Sequence, residues 1–296
     1  MELNDLLTFA TVARTGSITR AAEALNTVQS NVTQRVKALE AEIGTVLFER
    51  HSRGMTLTPA GRRLLPYAQQ MAALAREALL AARDDGTPKG PLAIGSIETT
   101  TAVRLPTLLA AFHRTYPEVA LSLRTATTAD LVTAVIEGAL DGAFVVAPID
   151  HPELASVTAF SEELVMVAPR QFDSLASLRA GTPASGPTAL VFRTGCTYRQ
   201  RLEQIFNDFG WPTAARFELG TLDGMIGCVA AGMGVTLLPR AVVEHSELIK
   251  DISLHTLKPA YARVETLFIR RRAAHPSSAL AAFMAGLANR DHEIAA

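Results

Sequence analysis

Three short runs of apolar residues at helical spacing, each ended by a turn signal, open the chain and limit its folds more than any other feature. Leu6, Phe9, Ala10 and Ala13 make one face of a first helix, and Gly16 ends it. Ser17 is a suitable N-cap for a second helix reaching Leu25. Asn26-Thr27-Val28 then breaks the pattern, and the spacing predicts a third helix over 29–42, with Val32, Val36 and Leu39 as its core stripe. Its other face carries Gln29, Ser30, Thr33, Gln34 and Lys37, all hydrogen-bonding side chains. Two short helices joined by a turn of about three residues, the second with a donor-rich outer face, define a helix-turn-helix. Two strand-like runs, 47–50 and 55–58, follow around a basic tip with Arg50, His51 and Arg53, a pattern expected of a hairpin wing. Thr58-Pro59 supplies a cap and a first-turn proline for a long Ala/Leu-rich helix to about residue 84, which Pro66 is expected to kink. Its apolar positions, Leu64, Leu65, Ala68, Met71, Ala75 and Leu79 among them, repeat as in a coiled coil and ask for a second chain to cover them.

Charge is concentrated at this end. The whole chain carries 28 Lys+Arg against 29 Asp+Glu, a net charge of −1, which excludes a globally basic nucleic-acid binder. Residues 30–63, by contrast, hold six basic side chains (Arg35, Lys37, Arg50, Arg53, Arg62, Arg63) against Glu40, Glu42 and Glu49. A near-neutral protein with one basic end fits an anion-binding module attached to something else. With 48% hydrophobic and 19% charged residues the 296-residue chain is globular, with length for about two domains. It starts Met1-Glu2-Leu3-Asn4-Asp5, with acid where a signal peptide needs base, and no apolar run approaches the ~20 residues that span a bilayer. Cys196 and Cys228 cannot build a disulfide framework. A soluble cytoplasmic protein without membrane contact is expected.

After a hinge at 85–91, strand and helix patterns alternate. Strands are expected at 92–97, 119–123, 142–146, 163–167, 188–192, 216–219, 235–238 and 264–269, with helices at 101–115, 128–137, 198–209, 222–231 and 277–289. That alternation predicts a mostly parallel α/β region. Enzyme motifs are missing. Gly232-x-Gly234 precedes a strand instead of following one, the reverse of a dinucleotide fold, and the seven histidines lack metal-ligand spacing. No metal, cofactor or catalytic set is expected. Cys196 sits ahead of a helix start with Arg193, Arg199 and Arg201 close in sequence, a setting that lowers a thiol's pKa, so a redox-sensing thiol stands beside a plain pocket or capping role. Cys228 reads as core.

Phe9, Gly16-Ser17-Ile18-Thr19-Arg20-Ala21-Ala22, Leu25, Gln29-Ser30-Asn31-Val32-Thr33, Leu39-Glu40, Gly44, Leu47-Phe48-x-Arg50 and Leu57-Thr58-x-x-Gly61 fall in the register of the LysR-type transcriptional regulators, which the chain resembles. The resemblance extends from Gly90 to the end, a region similar to that family's effector domain and to type-2 periplasmic binding proteins. It implies a winged helix-turn-helix at 1–60, a linker helix and hinge at 61–90, and an effector domain at 91–296. One half of that domain is 91–162 with 265–296 and the other 163–264, the chain crossing near 162–165 and 263–267. It further implies a non-enzymatic regulator of transcription that binds promoter operator DNA and answers to a small molecule. Homodimers through the linker helices, often paired into tetramers, are implied, with RNA polymerase as a further candidate partner. The expected DNA contacts are Gln29, Ser30, Thr33, Gln34, Arg35, Lys37, Arg50, Arg53 and Thr58, with Gln able to pair with adenine and Arg53 reaching the minor groove. The expected effector contacts cluster at helix starts: Ser96, Glu98, Thr99 and Thr100, then Thr127 and Thr128, then Thr194 and Cys196. Amides and hydroxyls there favour a small polar metabolite with an anionic group. Two other readings stay open: a redox-responsive regulator acting through Cys196, and a solute-binding or enzymatic α/β protein.

Overall fold

A computed structural model describes residues 1–51, 54–211 and 214–294, and of Arg50 and residues 289–294 the backbone only. The chain divides into two compact units, Met1–Asp85 with Ile136–Ala139, and the remainder from Gly86.

The first unit contains α1 (Leu3–Thr15), α2 (Ile18–Ala24), α3 (Gln29–Ile43), the antiparallel strands β1 (Phe48–His51) and β2 (Gly54–Leu57), and α4 (Pro59–Arg83). Gly16 ends α1 in the left-handed region (φ 62°), and the Ser17 hydroxyl accepts from the Arg20 amide at 3.4 Å to start α2. Asn26, at φ 49°, turns the chain towards α3. Leu6, Phe9, Val12, Ala21, Ala22, Val32, Val36, Leu39, Leu47, Phe48 and Ala68 form one buried core. Each large side chain there contributes about 1.5–3 kcal/mol by leaving water. Glu40 ties α3 to the wing, its Oε1 accepting from the amides of Leu47 (2.8 Å) and Phe48 (3.3 Å). Two glycines permit close approach: a Cβ on Gly54 would stand 2.6 Å from the Gly16 carbonyl oxygen, and one on Gly61 2.3 Å from that of Leu47.

The helix α4 continues through Pro66 for 25 residues without interruption. Leu64 and Leu65 pack on the first unit's core, so the uncovered stripe begins later, at Tyr67, Met71, Leu74 and Leu79. This moves the sequence-derived seam by one turn, because the start of α4 is already covered by its own unit.

The second unit runs β3 (Gly90–Ser96), α5 (Glu98–Val103), α6 (Leu105–Thr115), β4 (Val119–Thr125), α7 (Thr128–Ile136), β5 (Gly142–Val146), β6 (Leu154–Pro169) and α8 (Leu175–Gly181). It continues with β7 (Ala189–Val191), α9 (Thr197–Asp208), β8 (Arg216–Glu218), α10 (Leu222–Ala230), β9 (Thr236–Pro239), α11 (Arg240–Glu244), β10 (Ile252–Thr256), α12 (Pro259–Ala262), β11 (Arg263–Arg271) and α13 (Ser278–Ile294). The main sheet has the order β10-β6-β11-β5-β3-β4, with β9 also on β6. Here the expectation of a mostly parallel sheet fails. Among the described strands β3 pairs parallel with β4 and β5, and β7 with β8, while β11 and β6 make antiparallel pairs throughout.

The long strand β6 explains the difference. Its first part pairs with β11 as far as Glu163, and from Leu164 it pairs with β9, then β10. One strand thus serves two hydrophobic cores. Leu92, Ile94, Leu105, Phe112, Phe144, Phe268 and Phe283 belong to the first. Val165, Val167, Leu190, Leu222, Met225, Val229 and Leu238 belong to the second. The helix expected at 101–115 is two helices, broken at Arg104, because Pro106 has no amide hydrogen to continue the ladder and disfavours helix just before it.

Candidate DNA-reading surface and effector cavity

Opposite its core stripe, α3 presents Gln29, Ser30, Gln34 and Lys37 exposed and Thr33 half-buried. The first two stand at the helix N-terminus, the electropositive end. A convex helix with this face is of the width that a major groove of about 12 Å admits. Two of the sequence-derived contacts have other work. Arg35 turns towards α1, its Nη1 donating to Asp5 Oδ1 at 3.0 Å with Glu2 at 4.0 Å, so it braces α3 against the first helix. The Thr58 hydroxyl donates to the Val46 carbonyl (2.8 Å) and accepts from the Gly61 amide (3.1 Å), which makes it the cap of α4. On the wing, Arg50 pairs with Met55 in the strand register. The Arg50 side chain and Arg53 lie outside what the structure describes.

In the second unit a cavity of about 430 Å³ opens where β3, β4, β5 and β7 end and α5, α7, α9 and the loop before α10 begin. Its wall combines apolar groups (Ile97, Ala126, Val146, Phe192, Leu219) with hydroxyls (Thr99, Thr125, Thr127, Thr128, Thr197, Tyr198), the Cys196 thiol, Glu98 and Arg193. Of the sequence-derived effector contacts, Glu98, Thr99, Thr127, Thr128 and Cys196 meet here. Ser96 and Thr100 are fully buried behind the wall, the Ser96 hydroxyl donating to the Ile97 carbonyl at 3.0 Å, and Thr194 is exposed beside it. Arg193 and Thr197, which belong to the sequence-derived segment 193–197 at this helix start, also line the cavity, while Thr125, Tyr198 and the apolar wall are additions. Tyr198 stands two residues after Cys196, which is the local signal for it; Val146 and Leu219 are brought in by tertiary folding alone.

The helix starts around the cavity differ in how they are capped. Thr127 caps α7, accepting from the Asp130 amide at 3.2 Å while donating to the Asp130 carboxylate at 2.9 Å. Thr221 caps α10, accepting from the Gly224 amide at 3.3 Å. Glu98 Oε1 accepts from the Leu222 amide at 2.8 Å, so this carboxylate is directed at a helix start in the opposite wall. The N-cap residue of α9, Cys196, makes no side-chain cap hydrogen bond.

Burial pushes the Cys196 thiol up from its ordinary pKa, and this outweighs the amides of Arg199 and Tyr198 and the Arg199 charge, which pull it down. The cations that the sequence set beside it are held elsewhere. Arg199 pairs with Glu218 (2.8 Å) and Glu203 (3.3 Å), Arg201 donates to the carbonyls of Arg263 and Tyr261, and Arg193 stands 3.8 Å from Asp130. A lowered thiol pKa is therefore corrected to a raised one. Burial also raises the Tyr198 phenol, with the Glu162 charge adding to it, so Tyr198 stays a neutral hydrogen-bonding group. Among the described residues there is no cluster of three or more His, Cys, Asp or Glu able to hold a metal, and no helix long and apolar enough to cross a membrane.

Two family models match the chain: the bacterial regulatory helix-turn-helix protein, lysR family, over residues 3–62, and the LysR substrate binding domain over residues 85–291. The HTH-type transcriptional regulator GltR of Bacillus subtilis is 42% identical over 99% of this chain and 97% of its own length. The uncharacterized HTH-type transcriptional regulator YusT of the same organism is 46% identical over 96% of this chain and 94% of its own. Among solved structures, full-length CbnR, a LysR family regulator, complexed with its target DNA superposes with a TM-score of 0.67 at 27% identity, covering 98% of this chain and 99% of that one. The chain belongs to the LysR family of bacterial transcriptional regulators, a family of DNA-binding proteins controlled through an effector domain and not one of enzymes.

Proposed function

We propose that α3 reads operator bases through Gln29 and Gln34 while Ser30, Thr33 and Lys37 hold phosphates, and that the cavity of the second unit takes a small metabolite with an anionic group. The cavity is the observation that carries the second part. About 430 Å³ is the volume of a small ligand, and its wall combines hydroxyls with apolar groups, which suits a short molecule with a polar head and a hydrocarbon body. On this reading the DNA contacts lie on 1–60, the linker helix and hinge on 61–90, and the effector contacts on 91–296. The protein acts in the cytoplasm as a homodimer through α4, paired further into a tetramer, with RNA polymerase as the partner of the promoter complex. Support for the dimer is the stripe on α4, where Tyr67 and Leu74 remain 66% and 62% exposed although a chain in water favours covering them. The redox reading through Cys196 is disfavoured by burial of the thiol, which raises its pKa against the pull of the Arg199 and Tyr198 amides.

The test is a thermal-shift survey of small carboxylates on the full-length protein, followed by operator binding with those that stabilise it. A carboxylate that stabilises the wild type, changes its operator binding and does neither to the Thr128→Val/Thr197→Val double variant supports the reading. Unchanged stabilisation in the double variant contradicts it.

A further inference from the structure

We propose that Glu98 is a clasp that holds the two walls of the cavity together in the free protein and lets them part when this carboxylate leaves the Leu222 amide. The inference rests on reading this cavity as the effector site. Glu98 opens α5 and Leu222 opens α10, 124 positions further on. Leu222 belongs to the second hydrophobic core, whereas α5 follows directly from β3 in the first. Glu98, Leu219 and Gly220 all line the cavity, so the 2.8 Å bond joins its two walls.

The neighbouring residue makes the same crossing, the Thr99 hydroxyl donating to the Tyr198 phenol oxygen at 3.4 Å. The first turn of α5 is therefore fastened to α10 and α9 together. A carboxylate on the first amide of a helix gains from a charge-assisted hydrogen bond and from the helix dipole. Thr221 already serves the Gly224 amide, which leaves the Leu222 amide to Glu98. Glu98 is half-buried, so when the bond opens water can replace the amide and no charge is stranded in an apolar interior. A fastening of this kind is firm in the closed form and reversible.

Cys196 lines the same cavity and reports its opening. The experiment is alkylation of the full-length protein by iodoacetamide, read by peptide mass spectrometry so that Cys228 is scored separately. The Glu98 charge itself raises the Cys196 pKa. Rates are therefore taken up the pH scale to their plateau, where access and not ionisation sets them. Glu98→Ala should raise the plateau rate roughly tenfold, equivalent to about 1.4 kcal/mol, and speed hydrogen exchange of the Leu222 amide. Glu98→Gln, which keeps an acceptor without the charge, should fall between Glu98→Ala and wild type. Thr221→Ala loosens the same helix start without touching the other wall and should leave the plateau near wild type. A wild-type plateau in Glu98→Ala, or an equal rise in Thr221→Ala, overturns the clasp. Should Glu98→Ala fail to fold by circular dichroism, an unchanged plateau in Glu98→Gln overturns it instead. No effector enters this assay, so loss of the effector reading through the Thr128→Val/Thr197→Val variant leaves the clasp result standing.

Discussion

Single residues of the first unit divide into those that face outward and those that hold α3 in place. Gln29 and Lys37 are both exposed on α3 but differ in the contact each can make. Gln29→Ala should relax discrimination at one base pair by ~1–3 kcal/mol, because a bidentate amide is lost. Lys37→Ala should weaken all DNA alike and flatten the salt dependence, because a phosphate contact releases counterions. Binding titrations on operator and random DNA at several salt concentrations separate the two, and equal losses on both DNAs for Gln29→Ala would refute its assignment. Arg35 was legible only as a basic residue on the helix. That its partner is Asp5, 30 positions earlier, depends on α1 lying across α3, which no local pattern states. Arg35→Ala should lower the stability of the helix-turn-helix unit by about 1 kcal/mol, measured by chemical denaturation, and reduce DNA binding through that loss. A variant as stable as wild type would return Arg35 to the DNA-facing set.

Elements were legible where their signals are local. The turn Asn26-Thr27-Val28, the cap at Ser17 and the stripe Val32, Val36, Leu39 all depend on neighbours within a helical turn, and the end of the first helix and both ends of the next two fall within a residue or so of expectation. The first part of β6, residues 154–162, escaped notice, as did β10, because each has its meaning only beside β11 or the later part of β6. Pairing with a strand 100 residues away leaves little trace in its own sequence. The start of α4 shows the same limit: Leu64 reads as part of a coiled-coil seam until the core beneath it is seen. On the corrected stripe, Leu74→Lys should place a charge in the α4 seam and shift the protein from dimer towards monomer in sedimentation. Unchanged sedimentation would move the dimer contact elsewhere. Gly61 belongs to this scale too, since α4 and β1 meet there. Gly61→Ala, whose Cβ would stand 2.3 Å from the Leu47 oxygen, should cost ~1–3 kcal/mol in a denaturation measurement. No loss would mean that the helix and strand part without penalty.

For the whole molecule, the first unit carries a face shaped for DNA and the second a cavity shaped for a small ligand, and regulation requires that the cavity alter what the face does. The sequence placed Glu98, Thr99, Thr127, Thr128 and Cys196 at the cavity because helix starts can be seen from caps and strand ends. It left out Val146, Leu219 and Tyr198, which come from the end of β5, the segment after β8 and the first turn of α9, brought together only by the tertiary fold. The most direct test is a footprint of the intergenic region beside the protein's own gene, taken with and without a carboxylate that stabilises the wild type, for wild type and Thr128→Val/Thr197→Val. The expected result is the same effector-free footprint for both proteins, altered by the carboxylate in wild type alone. An identical carboxylate-dependent change in both would contradict the assignment of this cavity as the effector site.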